Sequence, residues 1–170
     1  MNEHLYAPWR DDYIDNKEDK TTYPNNCVFC HISTYHDNNE VYVLDKDEHC
    51  FIVMNRYPYT PGHFMIIPHY HTDSLEDLNP EVWIHITLLA QKCVKLLKEG
   101  LNAHGVNLGM NLGKAGGAGI AEHIHLHLVP RWSGDTNFIT SIAGARVYST
   151  DFEAMYQKIL SLIPHYISNG

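Results

Sequence analysis

The sequence predicts a single α+β domain, on three observations. Its 170 residues are the length of one ordinary domain, and such a chain buries about 70% of its unfolded surface without needing a disulfide or metal to fold. Short β-branched and aromatic runs come first, one long stretch of helical periodicity follows, and further strand-like runs come after it. That order is α+β rather than alternating βαβ. No internal repeat and no linker divides the chain, so residues 1–170 are read as one domain: an extension over 1–26, a core over 27–143 and a closing helix over 151–163.

Residues 1–26 are polar and aromatic, and the run Asp15-Asn16-Lys17-Glu18-Asp19-Lys20 reads as a solvated loop. Residues 40–44 and 49–55 read as two strands joined by the polar turn Asp45-Lys46-Asp47-Glu48. Pro58, Pro61 and Gly62 form a loop, and 63–68 is a strand with the composition of a buried one. Asn79 followed by Pro80 is an N-cap with proline at the first helical position. Behind it Val82, Ile86, Leu89, Cys93, Leu96 and Leu97 recur at helical spacing, predicting a helix over 80–101 that ends near Gly105. A strand over 106–111, a glycine-rich loop and a strand over 123–129 come next. Phe152, Met155, Tyr156, Ile159, Leu160 and Ile163 predict the closing helix, stopped by Pro164.

Composition narrows the function. With 44% hydrophobic and 19% charged residues the chain is neither disordered nor fibrous. No window approaches the roughly 18 consecutive apolar residues of a membrane span. The start Met1-Asn2-Glu3-His4 lacks a basic and an apolar signal region, so the expected compartment is the cytoplasm. Twelve basic against 20 acidic residues leave a net charge of −8, which argues against nucleic acid or an anionic membrane as partner and confines anion binding to a local site. There are 13 histidines and four cysteines. Only Cys27 and Cys30 are close together, and in a cytosolic chain such a pair is metal-binding or redox-active more often than a disulfide.

The strongest motif is His123-Ile124-His125-Leu126-His127-Leu128-Val129. Side chains alternate along a strand, so three imidazoles share one face while Ile124, Leu126 and Leu128 enter the core. One reading is an amphipathic strand with incidental histidines. A second is a three-histidine metal site, but positions i, i+2 and i+4 span about 13 Å and do not easily converge on one ion. A third has the histidines acting in series along a bound substrate. The preceding loop, Asn111 to Gly119, bears on that choice: glycines let backbone N–H groups cradle a phosphate, although hairpins and bulges use glycine too. Neutral imidazole is a competent nucleophile towards phosphorus, and imidazoles with backbone donors supply nucleophile, proton donor and charge stabilisation together.

This motif resembles the signature of the histidine-triad superfamily of nucleotide hydrolases and transferases. Asn55-Arg56-Tyr57-Pro58-Tyr59-Thr60-Pro61-Gly62-His63 is similar to the upstream segment of the dinucleoside-polyphosphate branch. Ala7-Pro8-Trp9-Arg10, the Cys-x-x-Cys pair and the segments from Val129 to Trp132 and Gly134 to Phe138 resemble bacterial diadenosine tetraphosphate phosphorylases and their relatives. The resemblance implies a histidine-triad fold, with an antiparallel sheet of about five strands, one long helix and a C-terminal helix. It implies a homodimer with the 80–101 helix and the 106–111 strand near the interface. It also implies attack on the α-phosphorus of an adenosine nucleotide such as a diadenosine polyphosphate, with water or orthophosphate as acceptor. No organic cofactor is implied, though the substrate can arrive as its Mg²⁺ complex. Rival readings are an adenylate phosphoramidase and a nucleotide-binding regulatory module; the intact His125 argues against the latter.

By the same resemblance His125 is the nucleophile that becomes adenylylated, His127 binds the phosphate and assists the leaving group, and His63 completes the phosphate site. Asn55 corresponds to a ribose contact, where the alternative is a turn residue. Asn111, Gly117 and Gly119 correspond to phosphate-side contacts. The chain departs from many relatives at Gly119-Ile120-Ala121-Glu122, which lacks the Gln, Ser or Thr that precedes the triad; that contact passes to backbone N–H groups, to Lys114, or is absent. Arg131 either binds substrate or pairs a surface carboxylate. Cys27 and Cys30 have the spacing of a tetrahedral zinc site, while buried thiols and a redox pair are the alternatives. Zinc-bearing relatives imply His71 (with His69 nearby) and His123 as the remaining ligands of a closed, structural zinc.

Overall fold

The computed structural model describes residues 22–136, 138, 142 and 150–167. Most of the 1–26 extension, including Ala7 to Arg10, lies outside the described residues. Five strands, β1 (Val43–Lys46), β2 (Cys50–Met54), β3 (Phe64–Pro68), β4 (Gly105–Gly109) and β5 (Leu126–Arg131), form one sheet in the order β1-β2-β3-β5-β4 with every neighbouring pair antiparallel. Three helices accompany it: α1 (Val28–Thr34), α2 (Pro80–Lys95) and α3 (Phe152–Tyr166). The α+β class and the five-stranded antiparallel sheet are those the sequence predicts.

Every residue of β2 and β3 is buried, so these two central strands separate two layers. On one face Cys50, Ile52, Met54, Phe64, Ile66, Ile124, Leu126 and Leu128 pack against Ile86, Leu89 and Cys93 of α2 and Tyr156, Ile159 and Ile163 of α3. The opposite face collects Phe51, Val53, Met65 and Ile67 against Cys27, Phe29 and Cys30. His127 is paired with Met65 and therefore projects into this second, smaller layer.

Local chemistry sets several boundaries away from their expected places. The first strand begins at Val43 because Tyr42 has φ +58°, a left-handed backbone held by the edge-on packing of its ring against Phe152 and Tyr156. α2 starts as expected, with the Asn79 side chain accepting from Glu81 N at 2.8 Å, but gives way to a π-turn over Leu96–Gly100. β4 stops at Gly109, opposite His127. α3 is capped by Asp151, which accepts from Ala154 N at 2.8 Å. Pro164 does not stop it: the helix continues to Tyr166, and Ile167 N still reaches Ile163 O at 2.8 Å. The cysteine pair lies on a short helix that no element reading of the sequence proposed, α1, with Cys27 at its N-cap.

The histidine run is also corrected. Of its three histidines only His127 lies in β5, because pairing of β3 with β5 ends at Ile66 opposite Leu126. Beyond that point β3 reaches Pro68, which has no N–H to continue a ladder. Ile124 N donates instead to Thr72 O at 2.8 Å. Alternation nonetheless survives: Ile124 joins the main core, while His123, His125 and His127 are all buried away from it.

Candidate active site

Backbone geometry assigns the protons on the buried imidazoles. Tyr59 N–H donates to His63 Nδ1 at 3.1 Å, so the proton of neutral His63 sits on Nε2 and is donated to His127 Nδ1, 3.0 Å away. His127 then carries its own proton on Nε2, which is the one buried side-chain polar atom without a hydrogen-bond partner among the described residues. His125 donates Nδ1–H to His123 O at 2.8 Å, leaving its Nε2 lone pair uncommitted. The His125 and His127 rings are 4.8 Å apart, edge to face. A lone pair and an N–H donor thus stand side by side in one buried layer.

Burial keeps these rings neutral. It pushes His63 down to about 3 and His127 down to about 4, with neighbouring imidazoles adding to the effect. His125 is lowered for the same reason of burial, partly opposed by its bond to His123 O. A neutral imidazole at pH 7 is the form that can attack.

The loop 55–63 supports this arrangement. Gly62 takes φ +80°, and a Cβ there would stand 3.0 Å from Leu101, so the turn that delivers His63 requires glycine. Thr60 Oγ1 donates to Pro130 O at 2.9 Å, fastening the loop to β5. Asn55 Oδ1 accepts from Tyr57 N at 2.9 Å while Asn55 Nδ2 lies 3.3 Å from His63 Nδ1. Asn55 is therefore both a turn residue and a neighbour of the site, and its amide oxygen keeps a second lone pair.

The glycine-rich loop leaves the sheet where Gly109 pairs with His127 and returns at Ile120, which packs on the second layer. Gly117 has φ +90° and needs glycine, whereas Gly119 is forced neither by φ nor by space. Gly117 N donates to Lys114 O at 3.0 Å, and Gly116 N and Ala118 N both turn to Gly113 O. These donors are committed inside the loop, so a phosphate would have to displace them. Asn111 is half-buried and Lys114 exposed, with no carboxylate paired to it among the described residues. Arg131 is engaged elsewhere: it holds Asp135 through Nε at 2.6 Å and Nη2 at 2.9 Å, and reaches Asn107 through Nη1 at 2.9 Å. That is the carboxylate-pairing alternative.

The second cluster joins α1 to both ends of the site. Donor atoms of Cys27, Cys30, His71 and His123 all lie within 4.8 Å of one another. Cys27 Sγ is 3.5 Å and Cys30 Sγ 3.8 Å from His123 Nδ1, and Cys30 Sγ is 3.2 Å from His71 Nδ1. Sulfur and nitrogen ligands of one tetrahedral zinc stand about 3.6 Å apart, given bonds of about 2.3 and 2.05 Å, so the donor set fits. His123 Nε2 donates to Pro68 O at 2.9 Å, which turns the Nδ1 lone pair towards the sulfurs. Burial pushes the Cys27 thiol up to about 11, so a thiolate there needs a cation beside it. His69 is excluded from this set: it contacts Ser33 Oγ at 2.7 Å and Asp47 O at 2.9 Å.

Two contributors are not evident from the sequence. Phe29, between the cysteines, packs its ring 5.1 Å from that of His125 and 5.7 Å from that of His123. Tyr59 leaves its ring half exposed, 4.6 Å from His63 and 5.8 Å from His127. Phe29 was within reach of the sequence, since bringing the cysteine pair to His123 also brings the residue between them.

An antiparallel five-stranded sheet with neutral histidines aligned beside a glycine-rich loop defines a histidine-triad protein. Residues 36–134 match the HIT domain family model, and the chain belongs to that family. It is 37% identical over 150 residues, covering 85% of this chain and 76% of the relative, to an AP-4-A phosphorylase of Mycobacterium tuberculosis. It is 30% identical over 121 residues, 71% of this chain and 60% of the relative, to an adenylylsulfatase of Arabidopsis thaliana. Among solved structures, a Zn-bound histidine triad family protein from Mycobacterium smegmatis superposes with TM-score 0.69 at 30% identity, covering 85% of this chain and 97% of that one. Family and likeness support nucleotide hydrolase or transferase activity in general. No helix among the described residues is long and apolar enough to cross a membrane.

Proposed function

We propose that the protein is a nucleotidyl hydrolase or transferase that cleaves an adenosine nucleotide, such as a diadenosine polyphosphate, at the α-phosphate through an adenylylated His125. The observation that carries this reading is the uncommitted Nε2 of His125 beside the unpartnered Nε2–H of His127. A buried N–H without a partner costs about 1–3 kcal/mol, and a substrate oxygen would relieve that cost.

In the first step His125 Nε2 attacks the α-phosphorus, forming a P–N bond as the bond to the polyphosphate oxygen breaks. That oxygen leaves as the polyphosphate anion while accepting a hydrogen bond from His127 Nε2–H, and His63 Nε2–H, donating to His127 Nδ1, holds that donor in place. The Nδ1–H bond to His123 O holds the nucleophilic tautomer and supports the positive charge that develops on His125. In the second step water or orthophosphate breaks the P–N bond, releasing AMP or ADP. Asn55 holds the ribose hydroxyls through its remaining lone pair, while Asn111, Gly119 and Lys114 face the phosphates and Gly117 N–H joins them by exchanging its bond to Lys114 O for a phosphate oxygen. Mg²⁺ can enter bound to the substrate. The likeness to an AP-4-A phosphorylase favours orthophosphate as acceptor, and the likeness to an adenylylsulfatase supports release of an anionic leaving group from an adenylyl phosphorus.

Cys27, Cys30, His71 and His123 would hold a structural zinc, which supplies a cross-link between α1, the end of β3 and the approach to β5. Four protein ligands leave no open position for chemistry. Half-exposed Ile84, Leu88 and Leu108, on α2 and the edge strand β4, form the surface on which a homodimer would close. Four free cysteines fit the reducing cytoplasm.

The test is incubation with diadenosine tetraphosphate, with and without orthophosphate, resolving the nucleotides. ADP plus ATP formed only with orthophosphate identifies phosphorolysis, and AMP plus ATP identifies hydrolysis. No turnover, together with no trapped adenylyl-protein, would overturn the reading.

A further inference from the structure

A second group of metal-ligating side chains lies at the turn between β1 and β2 and on the facing α2, sharing no residue with the proposed zinc centre or the histidine site. Donor atoms of Asp47, Cys50 and His85 lie within 4.8 Å of one another. We propose that Asp47, Cys50 and His85 form a binding site for a second divalent ion of the zinc class.

The turn prepares these atoms. Asp47 Oδ1 accepts from His49 N at 2.7 Å and from Cys50 N at 2.9 Å, which locks the carboxylate and points Oδ2 outward. Oδ2 then meets His85 Nε2 from α2 at 2.6 Å and Cys50 Sγ at 3.8 Å. The turn is held from behind as well, since His69 Nε2–H reaches Asp47 O at 2.9 Å. All three donors therefore rest on fixed backbone: a pinned turn, the first residue of β2, and a helix packed on the core.

Charge and exposure suit a cation. No lysine or arginine pairs with Asp47 among the described residues. Lys46, the nearest candidate, gives its ammonium to Ser33 O at 2.8 Å instead. The Cys50 thiol is 1% exposed, while the side chains of His85 and Asp47 are 39% and 34% exposed. One wall of the site is buried sulfur and the other faces solvent, leaving room for water ligands. The His49 ring, 5.0 Å from that of His85, borders the open side.

The ligand chemistry selects the metal. One thiolate, one imidazole and one carboxylate suit zinc, cobalt(II) or nickel(II), whereas magnesium and calcium need several oxygens and reject sulfur. Donors on a tetrahedral ion of this class stand about 3.4 to 3.8 Å apart. The sulfur–carboxylate spacing already matches. The imidazole–carboxylate spacing of 2.6 Å must open by about 0.8 Å, which a partly exposed histidine on the open side can provide. On binding, Cys50 releases its proton to solvent and the ion replaces the Asp47–His85 hydrogen bond.

The experiment is a cobalt(II) titration of the full chain already saturated with one equivalent of zinc, read by absorption and by metal content after equilibrium dialysis. Wild type should take up one further equivalent with a thiolate-to-cobalt charge-transfer band, and excess Mg²⁺ should not displace it. His85→Ala, a change at a partly exposed position, should weaken that uptake at least tenfold while circular dichroism stays unchanged. Cys50→Ser should abolish the charge-transfer band. No second equivalent in wild type, with the first unaffected by His85→Ala, or a second equivalent and band that persist in both variants, would overturn the site. A single equivalent that responds to His85→Ala would leave this site standing and remove the Cys27–Cys30–His71–His123 centre instead.

Discussion

At the scale of single residues, the buried histidines divide their work through the atoms they have left free. His125 spends Nδ1 on His123 O and keeps Nε2, so His125→Ala removes the nucleophile while leaving the main core untouched. Turnover of diadenosine tetraphosphate should fall by about three powers of ten or more, with the melting temperature little changed. His127→Ala removes the donor to the leaving group and should cost about a hundredfold. That loss should shrink when the leaving group is a good one, such as a nitrophenolate, because its departing oxygen then needs less stabilisation by a hydrogen bond. A uniform loss across leaving groups would show that His127 does not act on the leaving oxygen.

At the scale of elements, α1 matters more than its seven residues suggest. It carries both cysteines, and Phe29 packs on two of the three triad rings. Cys27→Ser combined with Cys30→Ser should release about one zinc per chain and lower the melting temperature, measured by elemental analysis and calorimetry. Unchanged stability in a metal-free variant would remove the structural role. Phe29→Ala opens a cavity in the smaller layer and should cost about 3 kcal/mol in denaturant unfolding. Because the lost ring lies against His125, kcat should fall more than KM rises; a change confined to stability would limit Phe29 to packing.

At the scale of the whole molecule, the neutral buried imidazoles make stability depend on acidity. His63 and His127 are held down to about 3 and about 4 by burial, whereas in the unfolded chain they titrate near about 6.5. The unfolded state therefore binds more protons over that interval, and stability falls as pH drops from about 6.5 towards 4. Chemical denaturation at pH 7 and pH 5 should show a lower midpoint at pH 5, and His63→Gln should flatten the difference. Assembly belongs to the same scale. Leu108 is half exposed on edge strand β4, and Leu108→Glu should convert the proposed dimer to monomer by light scattering.

Features set by local chemistry were legible in the chain. Alternation placed Ile124, Leu126 and Leu128 in the core; Asn79-Pro80 marked the start of α2; and the β-rich runs on either side of a long periodic helix defined the α+β class. α1 escaped because a short helix leaves little periodic signal and its N-cap, Cys27, makes no side-chain capping bond. The full histidine strand failed because Pro68, whose effect depends on its place across from β5, ends the ladder. The identities of the histidines and cysteines could be picked out as chemistry, but their protons could not. His63 and His127 are 64 residues apart and Cys27 and His123 are 96 apart; the pairing of β3 with β5 brings the first pair together and the packing of α1 on the sheet the second. By itself the sequence determined which residues can act and which faces are apolar, because those follow from side-chain type and local period. Only the tertiary structure decided that His125 keeps Nε2 free and His127 keeps its proton there, because each tautomer is selected by a backbone or side-chain partner delivered by the fold.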